Sequence, residues 1–407
     1  SMTKIYFETF GRASNFADTE QMMGLLHETD FSIINTKENA DVIIINGCIN
    51  NQSTEEVISE QLHEIKESYK IVILAGCLAQ SKKKEYSEYS LIGTKQIDKI
   101  VKVVEEAINN NTIQALNTTE LPSLNLPVIR TNPFVEIITI SRGNNGFCSF
   151  CKEKSTQGNF QSYPILEIIK KAKTAVKNDV KEIWLTSQDT GCYGFDINTS
   201  LPKLLDQLVK IPGDFMIRVG MMNPNHLLKI QTGLINSFLH PKIFKFLHLP
   251  VQAGNNKVLK EMKRQYTIED FEKQVSAFRM AIPEISIMTD IIVGFPGETK
   301  EEFFDTITSL RNSSPEYTNV SKFWPRPGTP ANRMENKVDG AEVKRRSQIT
   351  TEVSSNISRI QHEKWQGWEG RIIITKKGRE ENHWVGFTPS YVQVVVEGKY
   401  SLGQSIN

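Results

Sequence analysis

Five cysteines, Cys48, Cys77, Cys148, Cys151 and Cys192, carry the most versatile chemistry in this 407-residue chain. Cys148 and Cys151 close a glycine-containing loop, Ser141-Arg-Gly-Asn-Asn-Gly-Phe-Cys-Ser-Phe-Cys151. Two thiolates at the Cys-x-x-Cys spacing read as a metal or redox site. A cysteine in place of Asn144 would complete Cys-x3-Cys-x2-Cys, three thiolates able to hold three irons of a four-iron cluster and leave the fourth open. Asparagine offers a neutral amide where a soft thiolate is wanted, so the loop stands one ligand short.

The cysteines are odd in number and cluster at loop ends, which favours a reducing cytoplasm and metal or structural roles over disulfides. A composition of 39% hydrophobic and 23% charged residues is that of an ordinary soluble protein of two or three domains. The net charge of +1 gives no global signal for nucleic acid, and a basic groove remains compatible with it. No apolar run reaches the roughly 18 residues of a membrane span, so no membrane partner is expected.

The elements that must position these residues alternate between strand and helix. Residues 1–111 read as a parallel α/β domain, with strands Ile5–Thr9, Val42–Asn46 and Ile71–Ala75 and a helix over Asp18–His27. Its loops at strand C-terminal ends carry Arg12, Cys48 and Cys77, at the edge where ligands lie in such folds. A polar, proline-containing linker over 112–133 follows. Six strands, Phe134–Ile140, Glu182–Thr186, Phe215–Val219, Phe244–Pro250, Ile285–Val293 and Tyr317–Phe323, separated by helices, predict a partial (β/α)6 barrel over 134–340. A helical connector (341–368) leads to a small β domain (369–407) with a basic turn at Lys376-Lys377-Gly378-Arg379. Such a module suits an RNA backbone and is also a common folding unit; its completeness is left open.

Taken together these residues resemble the tRNA methylthiotransferases, a radical S-adenosylmethionine family, over nearly the whole chain. The resemblance is carried by Thr9-Phe-Gly-x-x-x-Asn-x-x-Asp-Thr-Glu20, Asn46-Gly-Cys48, Ala75-Gly-Cys77 and the cysteine loop. Leu185-Thr-Ser-Gln-Asp-Thr-Gly-x-Tyr-Gly194 and Val219-Gly-Met-Met-Asn-Pro-Asn-His226 are nearest the archaeal and eukaryotic branch, which acts on threonylcarbamoyladenosine beside the anticodon. The resemblance implies S-adenosylmethionine, iron–sulfur clusters, an RNA-binding TRAM-like end and tRNA (its anticodon stem-loop) as partner. It also implies an auxiliary cluster held by three cysteines of the first domain, and an S-adenosylmethionine pocket lined by Ser187, Asp189, Gly294, Gly297 and Glu298, with His248 facing it.

This copy departs from that pattern where the chemistry is. Arg12 and Asn144 stand at the first cysteine of the auxiliary and radical clusters, and Gln157 and Gln161 stand at expected arginine places. Each remaining thiol therefore has two readings. Cys148 and Cys151 are iron ligands, or else structural or redox thiols or a zinc site; Cys48 and Cys77 are metal ligands or small buried residues. Cys192 is either a replacement third ligand or a neutral filler. Asp189 is equally well a helix cap, the Gly-Pro loop a turn, and His248 a satisfied core residue. Trp324, Trp365 and Trp368 either stack on bases or pack. Three functions follow: a diverged member that keeps tRNA or partner binding, beside an active paralogue or another subunit, with radical chemistry impaired or lost; an active enzyme with unusual cluster ligation; or a repurposed nucleotide- or metal-binding module.

Overall fold

The computed structural model describes residues 2–49, 51–143, 160–325 and 330–407. Asn144, Cys148, Cys151 and Gln157 lie outside the described residues. The described residues divide into two compact units: those within 1–133, 137–143 and 160–171 form the first, and those within 134–136 and 172–407 the second.

The first unit is built on a parallel six-stranded sheet in the order β2-β1-β3-β4-β5-β6. Its strands are β1 (Thr3–Phe10), β2 (Phe31–Ile33), β3 (Val42–Gly47), β4 (Ile71–Ala75), β5 (Ser90–Ile92) and β6 (Gln114–Ala115). All six residues of β3 are buried, as expected for a strand covered on both faces. Helices α1 (Ala13–His27) and α4 (Ile100–Ile108) cover one face, with Met22, Leu26, Val103 and Val104 packed on Ile5, Ile44 and Ile73. Helices α2 (Gln52–Lys66) and α3 (Cys77–Ser81) cover the other, through Ile58, Leu62 and Leu78 against Ile43, Ile45 and Leu74.

Two expectations change here. Helix α1 begins at Ala13 rather than near Asp18, because the Asn15 side chain accepts the Arg12 N–H at 3.0 Å and closes the first turn. The 112–133 segment is no loose linker. It supplies β6, and its later residues lie along α1: the Ile129 N–H donates to the Glu20 carbonyl at 3.0 Å and the Thr131 N–H to Glu20 Oε2 at 2.9 Å. Gly24 permits that approach, since a Cβ there would sit 2.1 Å from the Pro127 carbonyl oxygen. The unit is completed by β8 (Ser141–Arg142) and β9 (Gln161–Ser162), an antiparallel pair. Arg142 is buried and donates to both oxygens of Asp18 (2.8 and 3.2 Å), to the Thr94 carbonyl (2.9 Å) and to Tyr163 Oη (3.2 Å).

In the second unit the six expected barrel strands appear with trimmed ends, in two three-stranded sheets rather than one continuous wall. Strand β7 (Val135–Thr139), whose first residues belong to this unit, β10 (Glu182–Thr186) and β11 (Met216–Val219) are ordered β11-β10-β7. Strands β12 (Phe246–His248), β13 (Ser286–Val293) and β14 (Tyr317–Lys322) form the second sheet, and an isolated parallel bridge pairs Ile217 of β11 with Ile243, just ahead of β12. Helix α5 (Ile165–Lys177) has its first seven residues in the first unit and the rest in this one; the other intervening helices include α6 (Leu201–Leu208), α7 (Pro224–Phe238), α8 (Asn256–Glu261), α9 (Ile268–Ala281) and α10 (Lys300–Ser313). Helix α9 opens on a Thr267/Asp270 capping box and α10 on Thr299/Glu302, each satisfying otherwise orphaned N–H groups. The connector is a single helix, α11 (Gly340–Glu363). It leads to an antiparallel sheet, β17-β16-β15-β18, of β15 (Ile372–Lys377), β16 (His383–Phe387), β17 (Gln393–Glu397) and β18 (Ser405–Ile406). The barrel strands, α11 and this sheet fall in one compact unit, where the sequence suggested three segments.

Candidate functional site

In the first unit, the loops leaving β1, β3 and β4 meet as the strand order requires. The Cys48 N–H donates to the Phe10 carbonyl at 3.3 Å, and a Cβ on Gly11 would lie 3.5 Å from Cys48 N. Gly76, at φ +86°, lies against Gly47: a Cβ there would meet the Gly47 carbonyl at 2.9 Å. This close approach of backbones brings Arg12, Cys48 and Cys77 to one edge of the sheet. Arg12 is exposed at the head of α1, Cys48 is half-buried with the Asn15 amide 3.7 Å from its Sγ, and Cys77 is buried. Gln161 accepts from Lys95 Nζ at 2.5 Å and donates to the Thr119 carbonyl at 3.0 Å, so it ties neighbouring backbone.

In the second unit, Asp189 is the hub of the loop after β10. Its Oδ1 accepts the Gly191 N–H at 2.8 Å, and its Oδ2 accepts from Asn223 Nδ2 at 2.8 Å and from His226 Nδ1 at 2.6 Å. Ser187 closes the turn within the same loop, its Oγ 3.3 Å from the Asp189 N–H. Asp189 therefore caps the short turn that follows, as one sequence reading had it, and also fastens the start of α7. Cys192 is fully buried, and it and His226 bring ligand atoms within 4.8 Å of Asp189 and of each other. The spacing would admit a metal ion, but the carboxylate is already engaged by four N–H donors, the fourth being the Asn223 backbone N–H at 3.3 Å.

Glu298 is buried beneath α11, where it accepts from Arg346 Nη1 at 2.9 Å and the Gly294 N–H at 3.1 Å. Burial pushes its carboxyl above the usual range, opposed by the Gly294 N–H and the guanidinium. Gly294, at φ +80°, leaves room for Val343, while Gly297, at φ +82°, faces open space. This loop thus anchors the connector helix.

His248 lines a cavity that contains none of Ser187, Asp189, Gly294, Gly297 and Glu298. Alternate residues of parallel strands point the same way, and the registers Trp184–Arg218 and His248–Met288 place those four on the inner face of the partial barrel. Arg218, His248 and Met288 line a cavity of about 270 Å³ together with Phe246, Tyr317, Tyr391 and Gln393, among others. His248 Nε2 lies 3.1 Å from Asp290 Oδ1, which also accepts from Asn319 Nδ2 at 2.7 Å. Arg218, Trp184 and Tyr391 were not singled out in the sequence. Their signal is a guanidinium and an indole inside apolar strands, Phe-Met-Ile-Arg-Val and Glu-Ile-Trp-Leu-Thr.

Trp365 and Trp368 pack edge to face at 5.8 Å, consistent with packing. Lys376, Lys377 and Arg379 are exposed on the C-terminal sheet, and no ion pair engages them among the described residues. No helix among the described residues is long and apolar enough to cross a membrane.

Comparison with known proteins places this architecture. Residues 4–93 match the uncharacterized protein family UPF0004 and residues 138–310 the radical SAM superfamily; the latter implies S-adenosylmethionine and an iron–sulfur cluster. A probable threonylcarbamoyladenosine tRNA methylthiotransferase from Pyrococcus horikoshii is 38% identical over 386 residues, 94% of this chain and 91% of that protein. The human threonylcarbamoyladenosine tRNA methylthiotransferase is 37% identical over 97% of this chain and 69% of its own length. Among solved structures, the radical S-adenosylmethionine methyltransferase TsrM from Kitasatospora setae, with cobalamin and a four-iron, four-sulfur cluster bound, superposes with a TM-score of 0.56. It covers 81% of this chain and 77% of that one at 11% identity, a likeness of fold alone. At 37–38% identity to these relatives over nearly its whole length, the chain belongs to the threonylcarbamoyladenosine tRNA methylthiotransferase family.

Proposed function

We propose that this chain recognises the threonylcarbamoyladenosine-bearing anticodon arm of tRNA while its radical chemistry is impaired. The observation that carries the second half is the donor set at the sheet edge of the first unit. Two thiols, Cys48 and Cys77, share that edge with the Arg12 guanidinium. An iron–sulfur cluster is held by anionic thiolates, and a fixed cation replaces one of them here, so these residues do not fit a cluster held by three cysteines. Cys192 is a poor substitute, fully buried beside Asp189 and His226. In the radical loop the same shortfall is in the donor set itself, Asn144 with Cys148 and Cys151. RNA recognition is supported by the exposed cations of the C-terminal sheet, whose contact with phosphates would release counterions.

The test is anaerobic reconstitution with iron and sulfide, then iron counting and an assay for 5′-deoxyadenosine. The expected result is little stable iron and no cleavage of S-adenosylmethionine, with stem-loop binding retained. About four irons or more per chain together with cleavage would establish the active-enzyme reading instead.

A further inference from the structure

Arg218 lines the cavity of the second unit as a cation with no ion pair among the described residues. It projects from the middle of β11 into the barrel cavity, its guanidinium carbon 3.7 Å from the centroid of the Trp184 ring and 5.2 Å from that of Tyr391. A guanidinium carries five N–H donors, and one of them is used here, from Nη1 to Tyr391 Oη at 2.9 Å. Among the described residues no carboxylate comes within ion-pair distance of it. The two acids nearby make their hydrogen bonds elsewhere, although the Arg218 charge is felt by the buried Glu182 carboxyl. Glu182 accepts from Trp184 Nε1 at 3.0 Å, and Asp290 is held by His248 and Asn319. The indole and phenol rings fix the plane of the fork, so little entropy is lost when it closes on a ligand.

A planar cation pre-set in this way selects carboxylate or phosphate through paired charge-assisted hydrogen bonds. The surroundings favour the carboxylate. At about 270 Å³ the cavity falls just below the roughly 300–1,000 Å³ of sites for drug-sized ligands, a size for an acid borne on a side chain rather than a whole nucleotide. Its walls combine aromatic faces, Phe246, Tyr317 and Tyr391, with the polar His248 and Gln393, which suits a short arm bearing both hydrogen-bonding groups and a methyl. Threonylcarbamoyladenosine, the base in the relatives' names, carries just such a group: a threonine carboxylate on a carbamoyl arm. We propose that Arg218 is the specificity residue of this cavity and binds the carboxylate of the threonylcarbamoyl group. The inference rests on the tRNA reading above and adds to it how the modified base is told from an unmodified one.

The experiment uses the full chain and three labelled anticodon stem-loops, carrying threonylcarbamoyladenosine, its methyl ester, or unmodified adenosine, with binding read by fluorescence anisotropy. The acid should bind at least about tenfold more tightly than the ester, in line with a charged hydrogen-bond pair. Arg218→Gln should weaken acid binding far more than ester binding and so erase most of that difference, and Arg218→Lys should restore part of it. Equal affinities for acid and ester in the native protein would overturn the assignment while leaving the tRNA reading in place, and this comparison needs no variant to fold. Equal weakening of both ligands in Arg218→Gln would reduce Arg218 to a structural residue. If none of the three stem-loops binds, the tRNA reading itself fails, and the assignment with it.

Discussion

Arg346→Met offers the sharpest check on whether the Gly294–Glu298 loop is an anchor for α11. Arg346 holds three acceptors: Glu298 Oε1 and the Glu298 carbonyl, both at 2.9 Å, and Glu342 Oε1 at 3.1 Å. Glu342 is partly exposed and keeps Arg345 at 3.0 Å, so its loss is small. The Glu298 side chain is 1% exposed and would retain the Gly294 N–H alone. Leaving a buried carboxylate without its cation costs about 3–5 kcal/mol. Glu298→Gln keeps a neutral acceptor for Arg346 and should cost about 1–2 kcal/mol. All five tryptophans lie in the second unit, so urea unfolding followed by their fluorescence reports on this region. The midpoint should fall most for Arg346→Met, with the slope unchanged. Burial already raises the Glu298 carboxyl, and without Arg346 it would rise further. The folded variant then takes up a proton that the unfolded chain does not, and its deficit should shrink as the pH is lowered from about 8 to about 5. A loss under about 1 kcal/mol, or a deficit that widens toward low pH, would refute the anchor.

Other expectations follow from the same geometry. Lys245 is buried, donates to the His240 and Ile243 carbonyls, and is pushed down to about 8 by desolvation. Its folded value lies below its unfolded one, so the unfolded chain binds the extra proton above that point, and stability in the second unit should rise between about pH 8 and pH 10. The rise in the urea midpoint should be absent in Lys245→Met. Arg142→Met strands Asp18 in the first unit and should cost about 3–5 kcal/mol, read as lost amide-exchange protection in β1, β3 and β4. Adding Asp18→Leu should recover part of it; a double variant no better than the single would contradict the pair's role. Replacing Lys376, Lys377 and Arg379 with alanine should weaken stem-loop binding and flatten its salt dependence by about one unit of slope for each phosphate no longer neutralised, with the urea midpoint unmoved. Arg12→Cys should add about three to four irons per chain on anaerobic reconstitution, and no gain would mean that the loops there cannot seat a cluster even with three thiols.

Much of the architecture was legible because it is written in local runs. The six barrel strands are written as runs of five to nine residues punctuated by Gly and Pro, and the structure trims only their ends, to between three and eight residues. β2, β5 and β6 were not legible, since strands of two or three residues have no periodicity of their own and exist only through pairing with a neighbour. The docking of 127–131 on α1 was hidden because proline-rich composition signals the absence of regular structure and not the absence of contacts. At the site, the converging loops of Arg12, Cys48 and Cys77 follow from parallel topology. The Arg218–Tyr391 pair does not, since its partners are 173 residues apart and nothing local in either segment names the other. Glu298 shows the converse limit. A motif that resembles a ligand loop spends its carboxylate on a guanidinium that sequence proximity could not supply.

The discontinuity of the first unit has a consequence for biosynthesis. Its sheet is complete by Ala115, yet Asp18 on α1 is buried against an arginine at position 142, and the segment over 112–133 is tied down through Tyr163 and Lys171, which donate to the Pro122 and Leu124 carbonyls. Domains emerge from the ribosome in order and fold as units. Here the emerging N-terminal sheet holds an uncompensated buried carboxylate until about 30 further residues, and the exit tunnel's length beyond them, have been synthesised. A nascent chain stalled near Pro133 should therefore be a target for proteases and chaperones, whereas one stalled well past Lys171 should already resist them.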